Sequence, residues 1–187
     1  MNELDEIFKS TETRMQKAID ATRNDFASVR TGRASPALLD RLHVEAYGAS
    51  VPLKQVASVS TPDARTLQIT AFDRSTVGAI RKAIETSDLG MSPNIDGSNI
   101  RLQIPQLTEE RRKDLVKVIR KKSEDGKVAI RNVRHKAVDD IKALLKETKI
   151  TEDENKRAGE RVQKMTDKYI KDVDGLVVVK EKEIMEV

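Results

Sequence analysis

Apolar residues recur at steps of three and four along the first thirty residues of the chain. This spacing places them on one face of an α-helix, because the helix repeats every 3.6 residues. The pattern predicts an amphipathic helix over residues 2–30 that ends at the sequence TGR. The stripe comprises Leu4, Phe8, Met15, Ala18, Phe26 and Val29, with Thr11 and Thr22 in the gaps.

Two further amphipathic helices are predicted in the second half of the chain. The first starts after Pro105 with Thr108 as a candidate N-cap and runs to about Lys146, and Gly126 at its middle is expected to weaken it locally. The second starts at TEDE, residues 151–154, which has the spacing of a capping box. Their predicted buried faces comprise Leu115, Ile119, Ile130, Val133, Ala137, Ile141 and Leu144, and then Ala158, Val162, Met165, Tyr169, Val173 and Leu176.

Residues 31–106 show a different pattern, with 15 charged residues among 76 against 51 among 111 elsewhere. The sequence LHVEAYGASVPL predicts a hairpin that turns at Tyr47-Gly48. QVASVS and RTLQITAF predict two strands joined by a turn at TPDA. STVGAIRKAIETSDLG predicts a short helix that buries Val77, Ile80 and Ile84, and IRLQI predicts a last strand after an Asp-Gly turn. The segment is therefore predicted to be a small β/α/β domain.

Three long helices, each with one apolar stripe, are stable in water when they pack together. The simplest arrangement is a three-helix bundle of residues 1–30 and 107–187, with residues 31–106 inserted as a second domain after the first helix. The two connections, near residues 30–36 and 104–107, must then lie side by side. The predicted fold class is α+β with two domains.

The composition excludes several classes of protein. Aromatic residues make up 3% of the chain, so the core must be aliphatic. The absence of cysteine excludes disulfides, thiolate nucleophiles and Cys-ligated zinc, and it fits a cytoplasmic location. The start MNELDEIF has acidic residues and no apolar run, so we expect no signal peptide. No apolar stretch approaches the roughly 20 residues of a membrane span.

Catalytic motifs are missing from the sequence. It contains no GxxxxGK, no GxGxxG after a strand, no GxSxG and no HExxH. His43 and His135 fall in different predicted domains, so they do not form an acid–base pair or a metal site. We therefore expect a protein that is not an enzyme, with no catalytic residues, no metal and no cofactor.

Positive charge is concentrated in the second predicted helix. Residues 111–136 contain eleven Lys or Arg and three Asp or Glu, a net charge of +8, whereas the whole chain carries +4. Six of these cations fall within an arc of about 100° and are predicted to face solvent, about 120° from the apolar stripe. Such a row matches an array of RNA phosphates, whereas a face that served only solubility would mix both signs. The six are Lys113, Lys117, Arg120, Lys127, Arg131 and Arg134.

The sequence RTGRASP at residues 30–36 has two interpretations. As an anion-binding loop it lacks a following Lys-Ser or Lys-Thr, and Pro36 removes a backbone donor. As a junction it fits better, because Gly32 permits unusual backbone angles and Pro36 stops the helix. The predicted hinge residues are Arg30, Thr31, Gly32, Arg33, Ser35 and Pro36 in the first connection, with Pro105 and Gln106 in the second.

Eight sequence blocks occur in order between residues 30 and 154: RTGRASPALLD, VEAYG, DARTLQI, FDRS, SDLGMSPN, LTEERRKDLVK, VAIRNVR and ITEDE. Several of them are long and specific. Together they resemble the bacterial and organellar ribosome recycling factor family over essentially the whole chain.

The resemblance implies an L-shaped molecule with an outline similar to transfer RNA, in which a flexible elbow joins the bundle to the smaller domain. It implies that the chain, with elongation factor G and GTP, splits the post-termination ribosome into subunits and frees it from messenger RNA. The bundle is expected to bind large-subunit ribosomal RNA, with Arg131 and Arg134 of VAIRNVR as leading contacts. The smaller domain is expected to swing and meet elongation factor G. We expect a monomer that hydrolyses nothing and binds no membrane.

Two other functions fit the pattern of residues alone. One is a helical RNA- or DNA-binding module without a motor partner, and the other is a coiled-coil structural or chaperone-like protein. A recycling factor should prefer vacant or terminated ribosomes to naked duplex. A chaperone with apolar contacts should bind its clients with little salt dependence.

Overall fold

The structure, a computed structural model, describes residues 2–186. The chain divides into two compact units. The bundle unit contains the chain up to Arg30 and Glu110–Met185, and the sheet unit contains Thr31–Glu109. The helices and strands are α1 Glu3–Ala27, β1 His43–Ala46, β2 Ala49–Pro52, β3 Ala57–Asp63, β4 Thr66–Ala71, α2 Val77–Thr86, β5 Pro93–Asp96, β6 Asn99–Gln103, α3 Glu109–Lys146 and α4 Glu152–Met185.

The bundle unit consists of α1, α3 and α4, and polar caps fix where two of these helices begin. At the start of α1, the Asp5 N–H donates to Asn2 Oδ1 at 2.8 Å. The predicted capping box of α4 is confirmed, because the Glu154 N–H donates to Thr151 Oγ1 at 3.2 Å and the Thr151 N–H donates to Glu154 Oε2 at 2.8 Å. α4 continues through Gly175, so this glycine does not end the helix.

The predicted apolar faces of α3 and α4 are confirmed, with small differences. All seven predicted positions of α3 are buried. On α4, Met165 and Leu176 are only partly buried, and Thr166 and Ile184 lie in the interior as well. The apolar core contains two clusters, one of Met15, Ile19, Ile130, Val133, Tyr169 and Val173, and one of Phe8, Ala137, Ile141, Ala158 and Val162.

The predicted stripe of α1 needs three corrections, of which the first is that Leu4 is only partly buried. Ile19 is buried at 2% exposure and takes the core position, whereas Ala18 beside it is only partly buried. A buried isoleucine contributes more apolar area than an alanine, which explains why the helix turns this residue inward. α1 ends at Ala27, so Val29 is buried but lies beyond the helix.

Hydroxyl groups are buried inside the bundle unit. Thr11, Thr22 and Thr166 each donate to the backbone carbonyl four residues earlier, at 2.7–2.8 Å, so burial leaves these hydroxyls paired. A Cβ atom on Gly126 would lie 2.3 Å from Thr22 Oγ1. Gly126 therefore permits a close approach of α1 and α3. The prediction that this glycine weakens α3 locally did not include this role.

The sheet unit contains two antiparallel sheets. β1 and β2 form a hairpin in which Ala46 pairs with Ala49, so the turn lies at Tyr47-Gly48 as predicted. Both turn residues have positive φ, 54° and 78°, as a type I′ hairpin turn requires. The second sheet has the strand order β3-β4-β6-β5.

The structure corrects two predictions for the sheet unit. The segment TPDA is not the turn between β3 and β4, because β3 continues to Asp63 and the turn falls at Ala64 and Arg65. Pro62 is tolerated within β3 because this strand lies at the edge of the sheet. β5 was not predicted, since it is only four residues long, begins with Pro93 and lies at the opposite edge.

The core of the sheet unit is a single aliphatic cluster. Leu67 and Ile69 of β4 and Ile100 and Leu102 of β6 are fully buried, and the predicted face of α2 packs into the same cluster through Ile80, Ile84 and Val77.

Each unit contains one of the two tyrosines of the chain. Tyr47 in the hairpin turn is 75% exposed and donates its hydroxyl hydrogen to Asp73 Oδ2 at 2.8 Å. Tyr169 in the bundle core is 4% exposed, and this burial raises its pKa above the ordinary value of 10.0.

Candidate nucleic-acid interface

The six predicted RNA-binding cations all lie on α3, but their surroundings differ. Lys113, Lys117, Arg120 and Arg131 are exposed, whereas Lys127 and Arg134 are half-buried. The prediction that the whole stripe faces solvent is therefore wrong for Lys127 and Arg134. Both side chains lie against α4 because polar side chains of that helix pair with them.

Three of the six cations are seven residues apart and meet polar side chains of α4. We call Arg120, Lys127 and Arg134 the inner column. Arg120 Nε lies 3.0 Å from Glu181 Oε1, and Lys127 Nζ lies 2.6 Å from Asp174 Oδ1. α4 therefore neutralises two cations of the predicted RNA-binding stripe.

The third member of the inner column meets an amide and no carboxylate. An N–H of Arg134 donates to Gln163 Oε1 at 2.9 Å, and Gln163 donates its own amide hydrogen to Asp167 Oδ1 at 2.8 Å. Within the described residues, the Nε atom of Arg134 is buried and has no hydrogen-bond partner. Arg134 is thus held in place while its positive charge has no carboxylate in direct contact.

The outer face of the stripe contains Lys117, Glu124 and Arg131, again seven residues apart. Lys117 is exposed, and the side chain of Arg131 is 45% exposed. Glu124 lies 3.9 Å from both Arg131 and Lys127, at the outer limit of an ion pair. Arg131 therefore remains available to an approaching anion, and it is only three residues from Arg134.

The two chain connections at the predicted hinge lie side by side within the sheet unit. The Ala34 N–H donates to the Ala64 carbonyl at 2.7 Å, and the Ile104 N–H donates to the Arg65 carbonyl at 2.8 Å, so both connections bind the same turn. Gly32 has a φ of 74°, which favours glycine. A Cβ atom at Gly32 would lie 2.9 Å from Leu107 Cγ in the other connection.

The remaining predicted hinge residues occupy ordinary positions. Thr31 is buried, and Ser35 accepts the Ala37 N–H through its hydroxyl at 3.3 Å. Pro36 begins a short 3-10 helix, where its fixed φ is favourable. The exposed members are Arg30, Arg33, Pro36, Pro105 and Gln106.

The other chemistry of the described residues is sparse. Residues 2–186 contain no group of three or more His, Cys, Asp or Glu that could hold a metal ion. In the same range, no helix is both long enough and apolar enough to span a membrane. His43 lies in the sheet unit, where its Nδ1 is 3.1 Å from the Arg41 carbonyl, and His135 lies on α3 in the bundle unit.

Sequence reasoning missed the acidic side of the seam between α3 and α4. Asp167, Asp174 and Glu181 are seven residues apart on α4, the same interval as the inner column on α3. Two antiparallel helices with cations on one and acids on the other at this interval can pair along their length. This spacing was the signal in the sequence that could have identified the partners.

Comparisons with known proteins agree with the resemblance. The family model described as ribosome recycling factor matches residues 22–185. A ribosome-recycling factor from Symbiobacterium thermophilum is 55% identical over 182 residues, 97% of this chain and 98% of that protein. One from Thermosynechococcus vestitus is 57% identical over 176 residues, 94% of this chain and 97% of that protein.

Solved structures give the same result for the fold. A solution structure of a ribosome recycling factor is 45% identical, with a TM-score of 0.76 over 100% of both chains. A second similar chain, at 49% identity and a TM-score of 0.65 over 97% of this chain and 98% of that one, comes from models of the T. thermophilus ribosome recycling factor and the E. coli elongation factor G bound to the E. coli post-termination complex.

A family model matches most of the chain, and two relatives are identical to it at more than half of the aligned positions. These matches define a translation factor of known fold. The chain belongs to the ribosome recycling factor family. The predicted α+β fold class, a three-helix bundle with a β-sheet unit inserted after the first helix, is confirmed.

Proposed function

We propose that this chain recycles ribosomes after termination: with elongation factor G and GTP, it splits the post-termination complex and releases it from messenger RNA. Membership of the family supports this proposal. A relative at 49% identity is described together with elongation factor G on a post-termination complex, which supports the choice of partners. The chain acts as a monomer in the cytoplasm and hydrolyses no substrate of its own.

α3 is the proposed contact with large-subunit ribosomal RNA. The single observation that carries this contact is the pair formed by exposed Arg131 and the uncompensated guanidinium of Arg134, one helical turn apart. Arginine forms two parallel hydrogen bonds with a phosphate, so the pair can hold adjacent phosphates. Lys117 extends the contact along the outer face, and Lys113, Arg120 and Lys127 complete the proposed stripe.

The two side-by-side connections are the proposed hinge between a bundle domain of residues 1–30 and 107–187 and an inserted domain of residues 31–106. Both connections bind the turn at Ala64 and Arg65, which supports a fixed spacing between the two strands of the hinge. Two strands restrict the motion of a domain to fewer directions than one strand would. A restricted swing lets a force on the inserted domain reach the RNA-bound bundle.

The RNA contact is tested by the Arg131→Ala variant. Because Arg131 is exposed and its one ion pair, with Glu124, is long at 3.9 Å, its removal should change binding without disturbing the core. We expect weaker binding to vacant ribosomes and a slope of log affinity against log salt that is shallower by about 0.9. Lys9→Ala, which removes an exposed cation on α1, is the matched control and should leave the slope unchanged. Equal slopes for wild type and Arg131→Ala would argue against the contact.

The activity is tested by polysome breakdown and subunit splitting with elongation factor G and GTP. The wild-type chain should split post-termination ribosomes only when the factor and GTP are both present. Arg131→Ala should need a higher protein concentration to reach the same rate. Absence of splitting by the wild-type chain with a matched elongation factor would overturn the proposed function.

A further inference from the structure

The contact between cations and acids is graded along the seam, the line where α3 and α4 pack: it is direct at two cations of the inner column and indirect at the third. Asp174 and Glu181 contact Lys127 and Arg120 directly, whereas Asp167 is bound to Gln163 and does not reach Arg134. From this grading we infer that Asp174 and Glu181 are specificity-determining residues, which suppress binding of α3 to generic RNA. The inference rests on the proposed RNA contact of α3 and concerns how that contact is restricted to one part of the helix.

Each seam pair joins a shielded side chain to an exposed one, since the side chains of Asp174 and Arg120 are 56% and 70% exposed. The side chain of Lys127 is 16% exposed and that of Glu181 is 27% exposed. In the pair of Arg157 with Asp153 on α4, the two side chains are 78% and 66% exposed. Partial removal from water strengthens an ion pair and reduces its screening by salt. Salt therefore screens each seam pair less than the pair of Arg157 with Asp153, and each seam acid competes better than Asp153 with an approaching phosphate.

Generic RNA binding depends on the number of phosphates that the protein neutralises. A duplex lying along α3 would meet six cations if all of them were available. With Lys127 and Arg120 matched by carboxylates, fewer counterions are released, so the affinity for an arbitrary duplex falls. A site that presents its phosphates chiefly to Arg131 and Arg134 loses less from this pairing than a duplex that runs along the whole stripe.

The amide of Gln163 determines how the third cation of the inner column is held. It accepts a hydrogen bond from Arg134 and so orients the guanidinium, but it contributes no negative charge. It also donates to the Asp167 carboxylate, which occupies the next position in the acidic series. The positive potential of the stripe is thereby concentrated at Arg134 and its neighbour Arg131, and reduced at the two paired cations.

The test compares Asp174→Asn and Glu181→Gln with Asp153→Asn in the full chain. All three substitutions remove one negative charge from α4, and Asn and Gln keep the shape and one acceptor of the replaced side chain. The probe is an RNA duplex of non-ribosomal sequence, and its affinity is measured over a range of KCl concentrations. Glu181→Gln preserves the test if Asp174→Asn reduces folding, which a urea titration of each variant reports.

We expect each seam variant to bind the duplex about threefold more tightly or better at low salt, with a salt slope steeper by about 0.9, since one more cation is free to neutralise a phosphate. Asp153→Asn should change both quantities much less. An equal gain in Asp153→Asn would show that net charge acts from anywhere on α4 and would overturn the inference, as would unchanged duplex binding in both seam variants.

Ribosome binding by the same proteins separates this inference from the proposed function. The seam variants should lose selectivity, measured as the ratio of the affinity for vacant ribosomes to the affinity for the duplex. A wild-type chain that does not bind ribosomes would contradict the proposed function, yet the duplex titrations would still measure the effect of the seam acids. Unchanged selectivity in both variants would contradict the inference that Asp174 and Glu181 determine specificity.

Discussion

Glycine serves different purposes in the two units. In the sheet unit, four of the five glycines have a positive φ, at Gly32, Gly48, Gly90 and Gly97. In the bundle unit, all three lie inside helices, at Gly126, Gly159 and Gly175. The sheet unit uses glycine to turn the backbone, whereas Gly126 of the bundle provides space for a neighbouring helix. The cost of adding one methyl group should therefore depend on the unit and on the individual site.

The two cores differ in a related way. The sheet unit has one continuous aliphatic cluster, while the bundle unit has two clusters with buried hydroxyls and a glycine in its interior. The buried threonines bond within their own helices, so they fit between the helices without requiring a partner across the interface. The bundle unit therefore fills its interior with self-paired hydroxyl groups as well as with apolar side chains.

The largest difference is expected at Gly32, where both requirements for glycine coincide. Gly32→Ala should lower the free energy of unfolding by about 2–4 kcal/mol, because it combines left-handed backbone strain with overlap against Leu107. Gly97→Ala is the matched control, since Gly97 has a similar φ of 61° and open space around it, and it should cost about 1 kcal/mol. Urea titrations measure both values.

A second variant tests the cause of the Gly32 effect. Adding Leu107→Ala to Gly32→Ala should recover part of the lost stability, since it removes the atoms that the new methyl group meets. If the double variant is as unstable as the sum of the two single variants, the contact between the two connections is not the cause.

The effect of a glycine-to-alanine replacement on stability should differ in sign among the three glycines of the bundle unit. Replacing a helical glycine with alanine normally stabilises a helix by about 0.5–1 kcal/mol, and Gly159→Ala and Gly175→Ala should follow this rule because nothing lies within 4 Å of the added Cβ. Gly126→Ala should instead destabilise the bundle by about 1–3 kcal/mol, because of overlap with Thr22.

Thermal and urea unfolding measure these three variants under the same conditions. Thr22→Ala should rescue Gly126→Ala, since it removes both the hydroxyl oxygen and the methyl group nearest to the new Cβ. Stabilisation by Gly126→Ala alone would contradict the close approach of α1 and α3 and remove the contrast between the units.

The smallest expected effect concerns the exposed hydrogen bond of Tyr47 with Asp73 in the sheet unit. The pKa of Asp73 lies below its ordinary value of 3.8, mainly because its carboxylate accepts the Ser75 N–H and secondly because it accepts the Tyr47 hydroxyl. Tyr47→Phe should raise the pKa of Asp73 but leave it below 3.8, since the backbone hydrogen bond remains. An NMR titration of the carboxyl carbon measures the shift.

The sign of the pH effect follows from the lowered pKa. Asp73 stabilises the fold fully above pH 3.8, and this contribution disappears as the pH falls through the pKa of the folded state. Tyr47→Phe should therefore narrow the pH range over which the contribution is lost. An unchanged pKa of Asp73 in Tyr47→Phe would show that the tyrosine hydroxyl does not stabilise the carboxylate.

The helices and the fold class were predictable because their signals are local and repeated. The apolar positions of α3 and α4 recur over many turns of each helix, so a few wrong positions do not change the result. The core register of α1 was less certain, because Ala18 and Ile19 are adjacent apolar residues and the threonines give little contrast. β5 has four residues, which is too short for a period-two pattern to be recognised.

The candidate site was predictable only in part. Spacing along α3 places six cations on one face, but it does not say what the neighbouring helix brings to that face. The pairing of Lys127 with Asp174 depends on the register of α4 against α3, which the packing of both apolar stripes determines together. Similarly, the contact of Gly32 with Leu107 joins residues that are far apart in sequence, and no local pattern records their distance.

The placement of one tyrosine in each unit has an optical consequence. The chain contains no tryptophan, so tyrosine emission is not transferred to an indole, and under excitation above the phenylalanine absorption band the fluorescence comes from Tyr47 and Tyr169. A soluble quencher should reach Tyr47 in the hairpin turn and spare Tyr169 in the bundle core. A Tyr47→Phe chain would report only on the bundle and a Tyr169→Phe chain only on the sheet unit, so the melting of each unit could be followed without attaching any dye.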